Sequence, residues 1–441
     1  MVQDGQQAQE SKQAQDGKQP KAVDGKAYLR LVLLAAAIGI PAALLAAVFL
    51  AFVNWLEHWL WTDLPSDLGS STPPWYLLLG LPMLGAGVVI AARLLLPGDG
   101  GHDPLLGLST KPTPLRNGPG VALAAIGTLA FGAVLGPEAP LIALGSVAGM
   151  AITPFVRLDE RGKSVLATAG SFSAVSALFG GPLVAGMLLI EAGIGMGSAL
   201  IPALLPGLVA AAVGYLIFEG LGTWGGLHET ALKVPGLPPY HGYHLGDLLV
   251  SIGVGIAAAL LMSGVRAIGT RAERLNQGRG RMPALLVAGG LAVGLLALLA
   301  RALGANSQDV LFSGESSVPA MAAQQSLKIV LILLVAKAVA YAVSLGSGFR
   351  GGPVFPAIFL GVALGSVAQI AFGTSPTLAV AVGAAAGMAA MTRLLFAPIL
   401  FSALLVGTNG LDTVSAAVLA SVSAWLVTAM LEQRSGAAKK P

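Results

Sequence analysis

The chain has 441 residues, 55% of them hydrophobic and only 10% charged, with a net charge of +4. A soluble domain carries about 25% charged residues. A mean hydropathy of +0.79 over this length therefore excludes a water-soluble globule and makes the lipid bilayer the main solvent. The absence of cysteine excludes disulfides and thiolate metal sites, and the small, scattered positive charge provides no basic stripe for nucleic acid.

Residues 1–27 are polar, rich in Gln, Lys and Asp, and lack the short apolar core of a cleavable signal. They read as a disordered cytoplasmic tail. The apolar run from Leu29 to Leu60 is long enough for one tilted span, and Trp55, Trp59 and Trp61 mark a membrane interface at its end. Trp75 to Leu96 supplies a second span. Between Val121 and Ile217 the apolar segments are short and interrupted at Gly136-Pro137, Pro140, Pro154, Gly180-Gly181-Pro182, Pro202 and Pro206. Broken segments at membrane depth are tolerated where irregular backbone is buried or lines a cavity, so they point to a transport site. A first membrane unit is assigned to 28–218 and a Gly/Pro/His-rich linker to 219–245. A second unit covers 246–431, and a cytoplasmic tail covers 432–441. Spans in the second unit are expected at about 246–264, 284–302, 327–346, 354–372, 377–391, 395–407 and 412–431.

An internal repeat decides the architecture. Gly136-Pro137-Glu138-Ala139-Pro140-Leu141-Ile142-Ala143-Leu144-Gly145 aligns with Gly352-Pro353-Val354-Phe355-Pro356-Ala357-Ile358-Phe359-Leu360-Gly361. The same offset, ungapped, puts Leu178 on Leu394 and Pro182 on Pro398. The loop after the first span carries Glu57, Asp63 and Asp67 and no Lys or Arg. Its counterpart carries Arg266, Arg271, Arg274, Arg279 and Arg281 against Glu273 alone. Positive loops face the cytoplasm, so equivalent loops lie on opposite sides. The expected fold is an all-α polytopic membrane protein built from two inverted-topology repeats with broken, tilted helices. Both termini are then expected in the cytoplasm.

Gly136-Pro137 and Gly352-Pro353 read as helix starts within the membrane, with Pro placed where a missing N–H costs nothing. A buried helix N-terminus offers free N–H groups and partial positive charge to an anion. Two such starts converging near the midplane would hold one anion between them without a lysine or arginine, which lets the ion leave again. Glu138 falls in the first turn of one start, and its repeat partner is Val354. A carboxylate there competes with the mobile anion for the same donors, so Glu138 is the candidate gate and a candidate proton carrier.

These motifs resemble those of the CLC family of chloride channels and chloride/proton exchangers. Gly136-Pro137-Glu138-Ala139-Pro140 looks like that family's Gly-x-Glu-Gly-Pro element with its gating glutamate, and Gly352-Pro353-Val354-Phe355-Pro356 like its Gly-x-Phe-x-Pro element. Gly100-Gly101-His102-Asp103-Pro104 is similar to its Gly-Ser-Gly-Ile-Pro element. The resemblance covers about 28–431. It implies a homodimer with one anion pathway per subunit, chloride as the transported ion and no cofactor. The implied anion-binding set is Gly100, Gly101, Gly136, Glu138, Ala139, Gly352, Val354 and Phe355, and the implied location is the bacterial plasma membrane. Four departures stand out. Gly101 replaces a serine hydroxyl, Val354 replaces a phenylalanine, Pro137 and Pro353 each delete an amide donor, and no tyrosine follows Tyr341. His102 and Asp103, two lone ligands without a third, read as a solvated loop rather than a metal site.

Exchange requires a separate proton route. Counted from Pro182, Ala192 falls on the family's inner glutamate, and Glu191 falls one residue earlier on a more structural carboxylate; it is retained as a secondary proton-pathway candidate. Lys337, in an apolar span, is either the partner of Glu191 or a snorkelling side chain. The balance leans to an uncoupled channel, with a chloride/proton antiporter as the alternative and a carrier for another small anion or an organic solute further off. An intramembrane enzyme is disfavoured. His58, His102, His228, His241 and His244 all fall in loops or at span edges, and no span contains an aspartate pair.

Overall fold

Apolar runs bounded by proline, glycine and short polar residues set the helices of this chain. The computed structural model describes residues 25–109, 111–193, 200–225, 233–242, 244–275, 281–434 and 436. Residues 1–24, His228, Arg279, Lys439 and Lys440 therefore lie outside the described residues. The first half comprises α1 (Gly25–His58), α2 (Trp75–Leu95), α3 (Gly118–Leu129), α4 (Glu138–Ala151), α5 (Glu160–Leu178), α6 (Pro182–Ala192) and α7 (Leu200–Gly225). The second comprises α8 (Leu245–Leu275), α9 (Met282–Ala302), α10 (Val318–Ala323), α11 (Leu327–Ser347), α12 (Val354–Phe372), α13 (Pro376–Thr392), α14 (Phe396–Val406) and α15 (Val414–Arg434). Among the described residues there is no strand, and nine helical stretches are long and apolar enough to cross a bilayer.

The repeat is visible in the helix starts. Glu138 and Val354, which open α4 and α12, stand at the same offset in the chain as Glu160 and Pro376, which open α5 and α13. Each half packs its broken helix against the next one, α4 on α5 and α12 on α13. In both pairs glycine brings the backbones into contact: a Cβ on Gly145 would strike the carbonyl of Gly170, and one on Gly361 would strike that of Gly383. Without a hydrophobic driving force between helices in lipid, such close packing of small residues supplies much of the cohesion. The halves join through α2 against α9 and through α6 against α14.

The expected spans of the second half stand within a few residues, except that α8 runs about three turns past its expected end. Other boundaries differ more. α1 begins at Gly25, inside the expected tail. α7 continues to Gly225, so the start of the expected linker is helical, and α15 reaches Arg434. Trp61 is the misplaced aromatic. It is 2% exposed, its indole Nε1 donates to the Ala130 carbonyl at 2.9 Å, and its ring meets Phe312 edge-on. A π-helical turn at Trp59–Asp63 follows α1 and rotates Trp61 into the core, while Trp55 and Trp59 remain exposed.

Candidate functional site

The two repeated helix starts meet at the centre of the molecule. Gly136 and Gly352, symmetry partners in sequence, form an isolated antiparallel bridge. The Gly136 amide donates to the Gly352 carbonyl at 2.8 Å, and the Gly352 amide donates to the Gly136 carbonyl at 2.6 Å. Pro137 and Pro353 follow as N-caps, so the first free amides of α4 and α12 belong to Glu138, Ala139, Val354 and Phe355. The prolines therefore delete donors at the cap while leaving the first helical turns open.

Glu138 is fully buried, and its Oε1 accepts from the amide of Val354, its own repeat partner. The Phe355 amide also faces the carboxylate. Its Oε2 is buried without a hydrogen-bond partner. Glycine is required on both sides of the carboxylate, because a Cβ on Gly136 or on Gly352 would enter the space it occupies. Tyr341 on α11 fixes the receiving helix: its hydroxyl, also buried, donates to the Pro353 carbonyl at 2.7 Å. What the arrangement does chemically is clear from its parts. Backbone donors of α12 hold a negative group at the point where two helix dipoles converge.

Gly100 and Gly101 lie in the loop after α2 with φ of +69° and +108°. These left-handed values explain the departure from serine, since a side chain there would be strained. Gly101 and Ala139 line one cavity of about 240 Å³, together with His102, Lys111, Thr113 and Asn117. Most of the expected site residues thus fall into two adjoining groups, one around Glu138 and one around this cavity, with Ala139 following directly on Glu138.

The loop is anchored by a cluster that sequence reasoning missed. Arg350, two residues before Gly352, donates from Nε to the Asp99 carbonyl at 3.1 Å and pairs with the Asp99 carboxylate. Arg93 makes two hydrogen bonds to that carboxylate and a third to the Gly348 carbonyl at 3.0 Å. Burial works against the Asp99 charge, but the Arg93 hydrogen bonds and the Arg350 charge outweigh it and hold the carboxyl below its usual range. Asp103 accepts from the Leu105 amide at 2.9 Å and pairs with Arg350 at 3.4 Å. Among the described residues no group of three metal ligands exists. The one sequence signal for this anchor was an arginine directly before a Gly-Gly-Pro run.

Lys337 takes neither of its expected roles. It is fully buried on α11, and its Nζ donates to the carbonyls of Asp309 at 2.9 Å and Leu311 at 2.7 Å while lying 4.6 Å from the centre of the Phe359 ring. Glu191 sits elsewhere. Its Oε1 accepts from the amides of Leu395 (2.8 Å) and Phe396 (3.0 Å), and its Oε2 accepts from Ala397 (2.8 Å). Both oxygens therefore cap the start of α14. Three buried rings pack together where α14 meets the start of α12. Phe355 stacks on Phe179 at 5.4 Å, and Phe401 on α14 meets Phe179 edge-on at 5.5 Å.

Residues 104–429 match the model of the family described as voltage gated chloride channel. The chain belongs to this family. It is thus a multi-pass integral membrane protein of an anion-transporting family, not an enzyme. Curated relatives agree. A protein named "Putative ion-transport protein YfeO" from Escherichia coli strain SMS-3-5 is 32% identical over 356 residues, spanning 77% of this chain and 79% of the relative. Its counterpart in Escherichia fergusonii is also 32% identical, with the same coverage. Two solved structures share the fold. A slow cyanobacterial Cl−/H+ antiporter matches with a TM-score of 0.73 at 17% identity, over 93% of this chain and 99% of its own. A CLC-type fluoride/proton antiporter matches with a TM-score of 0.71 at 23% identity, over 92% and 97%.

Proposed function

We propose that this family member moves chloride, or a similarly small anion, across a bacterial plasma membrane through a pathway gated by Glu138. The observation that carries the reading is the Glu138 carboxylate on the Val354 amide. It occupies the donors that a passing anion would need. Protonation, or displacement by an incoming anion, frees the Val354 and Phe355 amides, and recapture of the carboxylate closes them again. The pathway runs from the Gly100-Gly101 loop past Ala139 to the point between Gly136 and Gly352. The charge of the loops supports both termini and the Gly101 loop being cytoplasmic. We take the protein to work as a homodimer with one such pathway in each subunit.

The chain's own residues support an uncoupled channel. Ala192 cannot carry a proton, and both oxygens of Glu191 are engaged in capping α14. The buried Phe179, Phe355 and Phe401 rings pack into one apolar cluster that offers no proton-carrying group. The second reading, a halide/proton antiporter, is favoured by the printed activities of both structural neighbours, one of which handles fluoride. The deciding experiment is anion efflux from proteoliposomes with valinomycin, recording internal pH in the same run, for chloride and for fluoride. Efflux without stoichiometric proton movement is expected. Protons driven uphill by the anion gradient would overturn the channel reading in favour of exchange, and no efflux of either anion would overturn transport of small halides.

A further inference from the structure

Near the ends of α8 and α15, two arginines from different segments converge on one carboxylate. Arg266 on α8 and Arg393, the residue that closes α13, both pair with Glu432 in the last turn of α15. Among the described residues no other carboxylate pairs with either guanidinium. The cluster therefore keeps one net positive charge, and its two like charges repel each other. An excess charge at the edge of the hydrocarbon is unfavourable unless a counter-charge meets it. The sequence also makes a strained choice at Arg393. Its φ is +65°, in the left-handed region where glycine normally ends a helix. α11 and α12 end on glycines in that conformation, Gly348 and Gly373, whereas α13 ends on an arginine. Trp425 on α15 fixes this residue, its indole Nε1 donating to the Arg393 carbonyl at 3.0 Å. The side chains of Arg266, Arg393 and Glu432 are each about a third exposed. Ile268, Phe396 and Met430, each within three residues of one of them along the chain, are exposed as well. The charged cluster thus opens beside apolar surface suited to acyl chains.

We propose that Arg266 and Arg393 form a binding site for the phosphate of an anionic phospholipid, whose acyl chains lie along the exposed apolar residues while Glu432 holds the guanidinium groups in place when the site is empty. Guanidinium forks match phosphate oxygens in pairs. The neighbouring Arg271 and Arg274 place this end of α8 at the leaflet where positive residues gather, which is also the leaflet rich in anionic lipid. The site uses none of the residues around Glu138 and does not depend on the transport reading. Competition gives the proposal a sign that a purely structural ion pair would not have. Glu432 and the lipid phosphate claim the same guanidinium groups, so removing the carboxylate strengthens lipid binding.

The test uses purified full-length protein in mild detergent, titrated with phosphatidylglycerol, with phosphatidylcholine of the same chains, or with inorganic phosphate. Lipid binding is read by native mass spectrometry and the unfolding temperature is followed in the same samples. Phosphatidylglycerol is expected to bind and to raise the unfolding temperature, and the other two are not. Arg266→Gln and Arg393→Gly should each weaken phosphatidylglycerol binding about fivefold; glycine is the residue that the left-handed backbone at 393 favours, so that variant keeps the fold. Glu432→Gln should strengthen binding by a similar factor. Equal binding of phosphatidylcholine would overturn the proposal, as would protection by inorganic phosphate as strong as that by the lipid, which would make the ligand a free anion. Binding unchanged in Arg393→Gly, or not strengthened in Glu432→Gln, would reduce the cluster to a structural ion pair. No effect of any lipid would mean that something else, such as a carboxylate of a second copy of this chain, supplies the counter-charge. Should Arg266→Gln aggregate, the opposite shifts expected of Arg393→Gly and Glu432→Gln decide the matter without it.

Discussion

The starts of α4 and α12 have almost the same backbone and opposite chemistry. Each follows a Gly-Pro pair, each is buried, and their glycines exchange two hydrogen bonds. One start extends a carboxylate, Glu138, and the other receives it on the amide of Val354. The symmetry of the fold supplies a pair of donor-rich helix ends, and side chains then make one carry the carboxylate and the other its amide donor. The support is likewise unequal. The repeat sets Val121 where the second half has Lys337, so among the described residues only that half places a buried lysine Nζ against its loop carbonyls.

The largest effect should come from erasing the inequality. Glu138→Ala should leave anion flux present but remove its dependence on external pH, measured as efflux over a pH series; retained dependence would dismiss Glu138 as the gate. Moving the carboxylate to its mate, Glu138→Val with Val354→Glu, should restore a pH-dependent gate, because the donors on both starts are equivalent. Flux as insensitive to pH as in Glu138→Ala would mean that the backbone symmetry is not functional.

Lys337→Met tests the unequal support. The Asp309 and Leu311 carbonyls would lose their donor inside the protein, at about 1–3 kcal/mol for each unsatisfied group, read as a lowered unfolding temperature in detergent. Glu191→Ala should cost less, about 1–2 kcal/mol for a lost helix cap, with little change in proton movement. A large change in proton movement would instead make Glu191 a carrier. The smallest effect belongs to Asp99→Asn, since this carboxylate is more than half exposed and such pairs contribute little. Because its pKa is lowered on folding, its contribution is present above the ordinary aspartate value of about 3.9 and is lost as pH falls through the lowered one. The variant should therefore differ from the parent in unfolding temperature at neutral pH and converge with it in strong acid.

The repeat, the helix starts at Glu138 and Val354 and most spans were legible in the sequence because each leaves a local mark: a Gly-Pro pair, an apolar run, a constant offset between matching motifs. What escaped depended on contacts between distant segments. The Arg350–Asp99 anchor joins residues 251 positions apart, and the Glu191 cap reaches across 204. Trp61 was read as interfacial from its composition, but the π-turn that buries it leaves no mark in residue types. Lys337 was visible as an anomaly, yet its partners are carbonyls, which every residue carries and no sequence distinguishes.

The bridge between Gly136 and Gly352 also limits how the protein can move. Transporters built from inverted repeats commonly alternate access by rocking one repeat against the other around a fixed site. Here the two repeats are pinned together by paired hydrogen bonds at that very point, so a rocking motion would have to break its own pivot, inside a membrane, with no water to receive the freed amides. Under the proposed gating, the scaffold would serve as a fixed frame and the moving part would be the Glu138 side chain.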